Sequence, residues 1–324
     1  MGARIIGTGS AIPATRLTNA ELEKLVNTNH DWIVARTGIH ERRVMKHGED
    51  ILDLMHVASQ QALDTAGLSA QDLQAIVVAT VSGDYAFPST ACLLQARLGV
   101  ENIPAFDVNA ACAGFVYGMS IVHSYMKSGE YGRLLLVGAD ALSTMVNWQD
   151  RTTCVLFGDG AGAVVLDNQP GERGLLSTVV ESNGALWQLL YVRTGQRQAV
   201  DQEGFHPKEW GIQMKGPELF KVAVRALSDV ACRALERVGL SPADVHLMIP
   251  HQANLRIIQA VADRLHLGME KVYCNVQQFG NTSAASIPIA LDEAVRDGKI
   301  HENDIIVLNA CGGGLTWGAA VVRW

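Results

Sequence analysis

The feature that most restricts what this chain can fold into is that it repeats itself. The stretch "QALDTAGLSAQDLQAIVVAT" (61–80) is matched by "RALERVGLSPADVHLMIPHQ" (233–252). Each reads as an amphipathic helix closed by a Gly-Leu-Ser turn, then an aspartate, then an apolar strand. Gly67 answers to Gly239 and Asp72 to Asp244. Downstream, "FDVNAACAGF", a helix, "KSGEY" and "LLLVGAD" run parallel to "YCNVQQFGNTS", a helix, "RDGKI" and "IIVLNAC". The closing segments "GDGAGAVVL" and "GGGLTWGAAVV" are each a glycine turn before a strand. Three matched blocks in one order predict an α/β fold of two similar halves packed in layers, residues 1–170 and 171–324. The join falls in "LDNQPGERG" (166–174), which is rich in turn residues.

Composition narrows the function classes. Hydrophobic residues are 48% and charged residues 18% of 324, which suits a packed core and excludes a disordered chain. A formal net charge of -7 argues against a nucleic-acid-binding surface. No apolar run reaches the ~20 residues that span a bilayer, so no membrane association is expected. The opening "MGARIIGTGSAIPA" has its apolar run broken by glycines, unlike a signal peptide. Six cysteines without C-x-x-C spacing argue against a zinc site or redox pair and suit a reducing compartment. A soluble, cytoplasmic protein is expected. "GTGSAIP" and "GDGAGA" fail the dinucleotide pattern, and no phosphate-loop motif exists.

Three polar residues stand out at predicted strand-to-helix junctions. After the strand ending in "AFDV", Phe115, Met119, Val122 and Met126 recur at helical spacing, which puts Cys112 at a helix start. Unpaired N–H groups there favour a thiolate and would lower the thiol pKa. Small neighbours leave room for a substrate; the plain reading is a buried small hydrophobe. His251 follows the strand ending at Pro250, and a structural histidine is the plain reading. Asn281 lies between a predicted strand and the helix containing Pro288, where a turn or cap residue is the plain reading. In open α/β sheets ligands bind beyond the carboxyl ends of strands. Cysteine, histidine and asparagine together suit acyl transfer through a covalent intermediate.

"DVNAACAGF", "PHQANLRII", "FGNTSAASIP" and "GGGLTWGAA", with "HDWIVARTGIHERR" and "FGDGAGAVVL", resemble the signature segments of the β-ketoacyl-acyl-carrier-protein synthase III family. The similarity is colinear over nearly the whole chain. It implies a thiolase-like fold and the initiating condensation of fatty acid synthesis, from an acyl-CoA, acetyl-CoA in the simplest case, and malonyl-acyl-carrier protein. It implies Cys112 as the acyl acceptor, completed by His251 and Asn281, with backbone N–H groups of Cys112 and Gly314 as an oxyanion hole. Trp32 and Arg151 would sandwich the coenzyme A adenine, Arg36 and Thr37 would line the entrance, and Asn254 would face the pantetheine tunnel. Phe87 would reach the partner's pocket in a homodimer, and Lys221, Arg225 and Arg256 would dock the acidic carrier protein. Coenzyme A enters as substrate; no cofactor and no metal are expected.

Two departures bear on acyl preference. Pro217 stands where relatives often carry an asparagine, and residues 190–210 look longer than in close relatives. Other readings are a condensing enzyme of specialised metabolism, a thiolase using Cys311, or a non-catalytic acyl-binding protein.

Overall fold

The computed structural model describes residues 2–193 and 211–324. The first part of the chain supplies β1 (Gly2–Ala11), the ribbon β2 (Arg16–Thr18) and β3 (Glu41–Arg43), then β4 (Ala75–Ala79), β5 (Ala105–Val108), β6 (Arg133–Ala141) and β7 (Asp159–Gln169). The second supplies β8 (Gly174–Ser182), the ribbon β9 (Leu190–Tyr191) and β10 (Gln213–Met214), then β11 (Leu247–Pro250), β12 (Ile305–Gly312) and β13 (Thr316–Arg323). The two main sheets have orders β1-β7-β6-β4-β5 and β11-β12-β13-β8. Read from the other edge, the second is β8-β13-β12-β11, so each strand has a counterpart except β5. Its place is taken by one isolated parallel bridge, Met248 to Val272. Pairing directions also match: β4 with β6 and β11 with β12 are parallel, while β6 with β7 and β12 with β13 are antiparallel.

The repeated sequence blocks make the same local structure for the same reasons. Gly67 (φ 68°) and Gly239 (φ 71°) take the left-handed conformation that reverses the chain after each helix, a conformation that costs other residues more. Ser69 with Asp72 and Ser241 with Asp244 form equivalent capping boxes, the backbone N–H donating to the carboxylate at 2.9 and 2.8 Å. The strands β4 and β11 follow directly.

Five layers result. The helices Gly114–Ser128 and Ser286–Arg296 lie in the middle, in one apolar cluster that draws on both sheets. Phe115, Met119, Val122 and Met126 are all buried there, each removal from water stabilising the fold by about 1.5–3 kcal/mol. The helices Ile51–Ala66 and Thr90–Arg97 cover the outer face of the first sheet. The helices Gly216–Glu236 and Leu255–Arg264 cover that of the second. Gly138 on β6 permits the central packing: a Cβ there would stand 2.3 Å from the Ala284 carbonyl oxygen. Among the described residues no helix is long and apolar enough to cross a membrane.

The apolar run ending in "AFDV" reads as a buried strand, but β5 is an edge strand and only half-buried, because among the described residues nothing pairs on its outer side. A second local expectation also differs. The segment before Asn281 is not a strand but the short helix Val276–Phe279. Buried Gln252 diverts it: its side-chain oxygen accepts the backbone N–H groups of Asn275 and Val276 at 3.0 and 3.3 Å.

Candidate active site

Both central helices begin in the same unusual way. Each is preceded by a single 3-10 turn, Ala111–Ala113 and Ser283–Ala285. Each turn opens on a non-glycine residue at positive φ, Ala111 at 47° and Ser283 at 53°. Such residues are strained and recur at functional sites. This register makes Ala284 the structural counterpart of Cys112, and Asn281 lies three residues before it.

The second turn is anchored from several sides. Asn281 N–H donates to the Leu156 carbonyl at 2.8 Å, and Gly158 N–H donates to the Asn281 carbonyl at 3.0 Å. The Asn281 side-chain oxygen accepts Ser283 N–H at 2.8 Å, which leaves its NH2 group for a ligand. His251 follows β11 directly, and its N–H donates to the Asn309 carbonyl on β12 at 2.8 Å. The ring Nδ1 lies 2.6 Å from the Ser286 hydroxyl, which also accepts Gln252 N–H at 3.3 Å. The glycine loop closes the site from β12. A Cβ on Gly312 would stand 2.6 Å from the Cys112 nitrogen, so glycine alone admits this approach. Gly314 lies two residues further on, at φ 132°.

Cys112, His251 and Asn281 line one cavity of about 860 Å³. Trp32, Arg36, Thr37, Asn254, Lys221 and Arg256 line the same cavity. Arg151 joins it through Trp32: the Arg36 and Arg151 guanidinium groups stand 4.4 and 5.1 Å from the indole ring centroid. Asn254 caps the helix Leu255–Arg264 and its NH2 donates to the Arg36 carbonyl at 2.9 Å, fixing the entrance. Pro217 and Leu190 also line the cavity; residues 194–210 of the longer segment lie outside the described residues. Three candidates stand apart. Arg225 is exposed and faces Asp229 at 3.5 Å. Phe87 is 86% exposed, away from the cavity. Gly314 is not among the residues lining the cavity.

The electrostatics overturn one expectation. Burial pushes the Cys112 thiol up to about 12, although the Ser283 hydroxyl bonded to it pulls the other way. A helix N-terminus contributes ~0.3–1 kcal/mol, less than one pKa unit. Removal from water moves a fully buried group by as much as about 3–5 units, so burial wins and the resting group is a thiol. Burial likewise lowers His251 to about 3, so its imidazole is neutral. Burial therefore disfavours the charged form of both groups. Cys311, on β12, lines the same cavity and is also pushed up to about 12, by burial first and by Cys112 second.

Sequence reasoning missed Ser286, Ser283 and Asp140. Ser286 opens a helix whose first turns are otherwise apolar and buried. That isolated polar residue is the signal that could have found it. Asp140 at the end of β6 is fully buried and accepts from Thr80, Val81, Ser82 and Ala284. It ties the first sheet to the turn that carries Asn281.

Models of 3-oxoacyl-[acyl-carrier-protein] synthase III match residues 106–184 and, for its C-terminal part, residues 235–324. A β-ketoacyl-[acyl-carrier-protein] synthase III of Aquifex aeolicus is 48% identical over 324 residues, covering 100% of both chains. A crystal structure of 3-oxoacyl-[acyl-carrier-protein] synthase III from the same organism superposes with a TM-score of 0.93 over 100% of each chain. The synthase III structure from Thermus thermophilus, 41% identical, also gives 0.93, over 99% of each chain.

Proposed function

The chain belongs to the 3-oxoacyl-[acyl-carrier-protein] synthase III family of thiolase-like condensing enzymes, and on that premise we propose how its cavity performs the condensation that initiates fatty acid synthesis. The reaction joins an acyl-CoA, acetyl-CoA in the simplest case, to malonyl-acyl-carrier protein and releases coenzyme A and carbon dioxide. The observation that carries the residue assignment is that Cys112, His251 and Asn281, distant along the chain, line one cavity together with Trp32.

In the first half-reaction the Cys112 sulfur attacks the thioester carbonyl. Its proton passes to the departing coenzyme A sulfur, which leaves as the free thiol, so no buried charge persists. The Cys112 N–H and an N–H of the glycine loop, assigned to Gly314, stabilise the oxyanion, a contribution of about 3–4 kcal/mol in comparable sites. Trp32 and Arg151 sandwich the adenine of coenzyme A, with Arg36, Thr37 and Asn254 along the entrance.

In the second half-reaction the malonyl thioester occupies the same channel. Loss of carbon dioxide places negative charge on the thioester oxygen, which accepts hydrogen bonds from His251 Nε2–H and Asn281 Nδ2–H. The Ser286 hydroxyl lies 2.6 Å from Nδ1; acting as the donor in this scheme, it selects the tautomer with its proton on Nε2. The enolate carbon attacks the acetyl group, and the Cys112 sulfur leaves and regains a proton. No metal and no cofactor enters this scheme.

Lys221 and Arg256 at the cavity, with Arg225 one turn along the same helix as Lys221, would receive the acidic carrier protein. The chain works as a cytoplasmic homodimer on this reading. Exposed Phe87 and the edge of β5, unpaired among the described residues, support a second copy there, since an unpaired strand edge is otherwise a liability. The two units 1–170 and 171–324 each contribute one main sheet and one central helix.

The test is mass spectrometry of enzyme, acetyl-CoA and malonyl-carrier protein. The expected products are an acetyl-enzyme at Cys112, carbon dioxide and β-ketoacyl-carrier protein. Stable thioester labelling of Cys112→Ala would overturn the nucleophile assignment. Binding without turnover would overturn the catalytic reading.

A further inference from the structure

At the end of β11 remote from His251, a second set of polar side chains converges on the surface. His246 precedes the strand, and His301 and Asp304 lie in the turn before β12. One ligand atom from each lies within 4.8 Å of the others. His246 Nε2 is 3.3 Å and His301 Nδ1 is 3.5 Å from the same carboxylate oxygen of Asp304. The two rings are not stacked flat; their planes stand at 82° with centroids 6.2 Å apart.

These separations have a chemical meaning. Zinc binds imidazole nitrogen and carboxylate oxygen at about 2.0–2.1 Å in a tetrahedron, whose edges are then about 3.3–3.4 Å long. Both measured nitrogen–oxygen distances fall at or close to such an edge. The backbone under the three side chains is already fixed. His246 N–H donates to the Ile305 carbonyl at 2.9 Å, and the Asp304 carboxylate accepts His301 N–H at 2.6 Å. Asn303 and Asp304 exchange backbone hydrogen bonds with Trp324 at the chain end, both at 2.9 Å. The side chains are 47%, 71% and 15% exposed, so an ion has a path in and water can complete its shell.

We propose that His246, His301 and Asp304 form a surface site for a divalent transition-metal ion of the zinc type. Two imidazoles and one carboxylate select zinc and its neighbours over magnesium or calcium, which take oxygen ligands. The bound ion clips the start of β11 to the turn at 301–304 and, through that turn, to the end of β13. It is a clamp on the second sheet, away from the cavity, and stabilises the folded chain by mass action.

The experiment uses the full-length, tag-free protein, stripped with chelator and titrated with zinc chloride in calorimetry and thermal melts. One zinc per chain is expected, with a melting temperature that rises with zinc. His246→Ala with His301→Ala should abolish both effects, and Asp304→Asn should weaken binding at least ~10-fold, the least that losing an outer-shell partner usually costs. Zinc X-ray absorption should report nitrogen and oxygen neighbours. Condensing activity in the absence of zinc should be the same in all these proteins. No saturable binding, unchanged binding by the double variant, or sulfur neighbours at the zinc would each overturn the site; the first leaves the three side chains as a polar surface cluster.

Discussion

Replacing Ser286 by alanine removes one hydroxyl from a place that water-exposed groups do not reach. Ser286 is 2% and His251 5% exposed, and the hydroxyl is 2.6 Å from Nδ1. Leaving a buried acceptor without its donor costs about 1–3 kcal/mol. If that cost falls on the tautomer that presents Nε2–H to the enolate, decarboxylation slows by about 5- to 150-fold. Acetylation of Cys112 does not require that donor and should lose much less. The assay measures the two half-reactions separately in Ser286→Ala. Acetyl-enzyme formation is followed by intact mass, and carbon dioxide release from malonyl-carrier protein by a coupled or isotopic measurement. Near-normal acetylation also certifies that the variant is folded. Equal losses in both half-reactions, or unchanged decarboxylation, would refute the positioning role.

With its thiol pushed up to about 12, Cys112 should be alkylated by iodoacetamide at a rate that climbs ~10-fold per pH unit through neutrality; a plateau near pH 7 would mean a low-pKa thiolate instead. His251, lowered from 6.5 to about 3, binds its proton more readily in the unfolded chain. Its contribution to stability is therefore present above pH 6.5 and lost as the pH falls towards 3, at about 1.4 kcal/mol per unit. Urea unfolding between pH 7 and 4 should accordingly fall more steeply for the wild type than for His251→Asn, and parallel curves would contradict the assignment. Trp32→Ala, which removes the ring that two guanidinium groups approach, should raise KM for acetyl-CoA by about 5- to 30-fold from the loss of ~1–2 kcal/mol of stacking. The rate at saturation should change little; a fall in kcat with unchanged KM would argue against an adenine site.

What could be read from the sequence was whatever depends on local pattern. The paired blocks around Gly67 and Gly239 announce the duplication because helix, turn, cap and strand are each encoded within about twenty residues. Cys112, His251 and Asn281 stand out because reactive residue types interrupt stretches of small or apolar ones. The sign of the Cys112 pKa shift was not legible. A helix start is visible in sequence, but the depth of burial depends on two sheets and on Gly312 from the far end of the chain. The strand wrongly expected before Asn281 has the same origin. It is displaced by Gln252, whose capping role exists only once β11 and the segment at 275–276 are adjacent. Ser286 escaped because its meaning lies in a contact across 35 positions.

The neutrality that burial favours in the resting site fits the order of events in the proposed mechanism. A thiolate beside an imidazolium would favour the first attack, but the same imidazolium would face the malonyl carboxylate in the second half-reaction. An ion pair there would stabilise the carboxylate that has to leave as carbon dioxide, and so raise the barrier to its loss. A neutral ring that donates one hydrogen bond stabilises the enolate oxygen instead, where charge appears only in the transition state. Burial supplies this condition for His251 and at the same time makes Cys112 a reluctant nucleophile. The first attack must then draw its driving force from the oxyanion donors and from coenzyme A bound at the entrance. On the proposed mechanism this couples thiol activation to substrate occupancy.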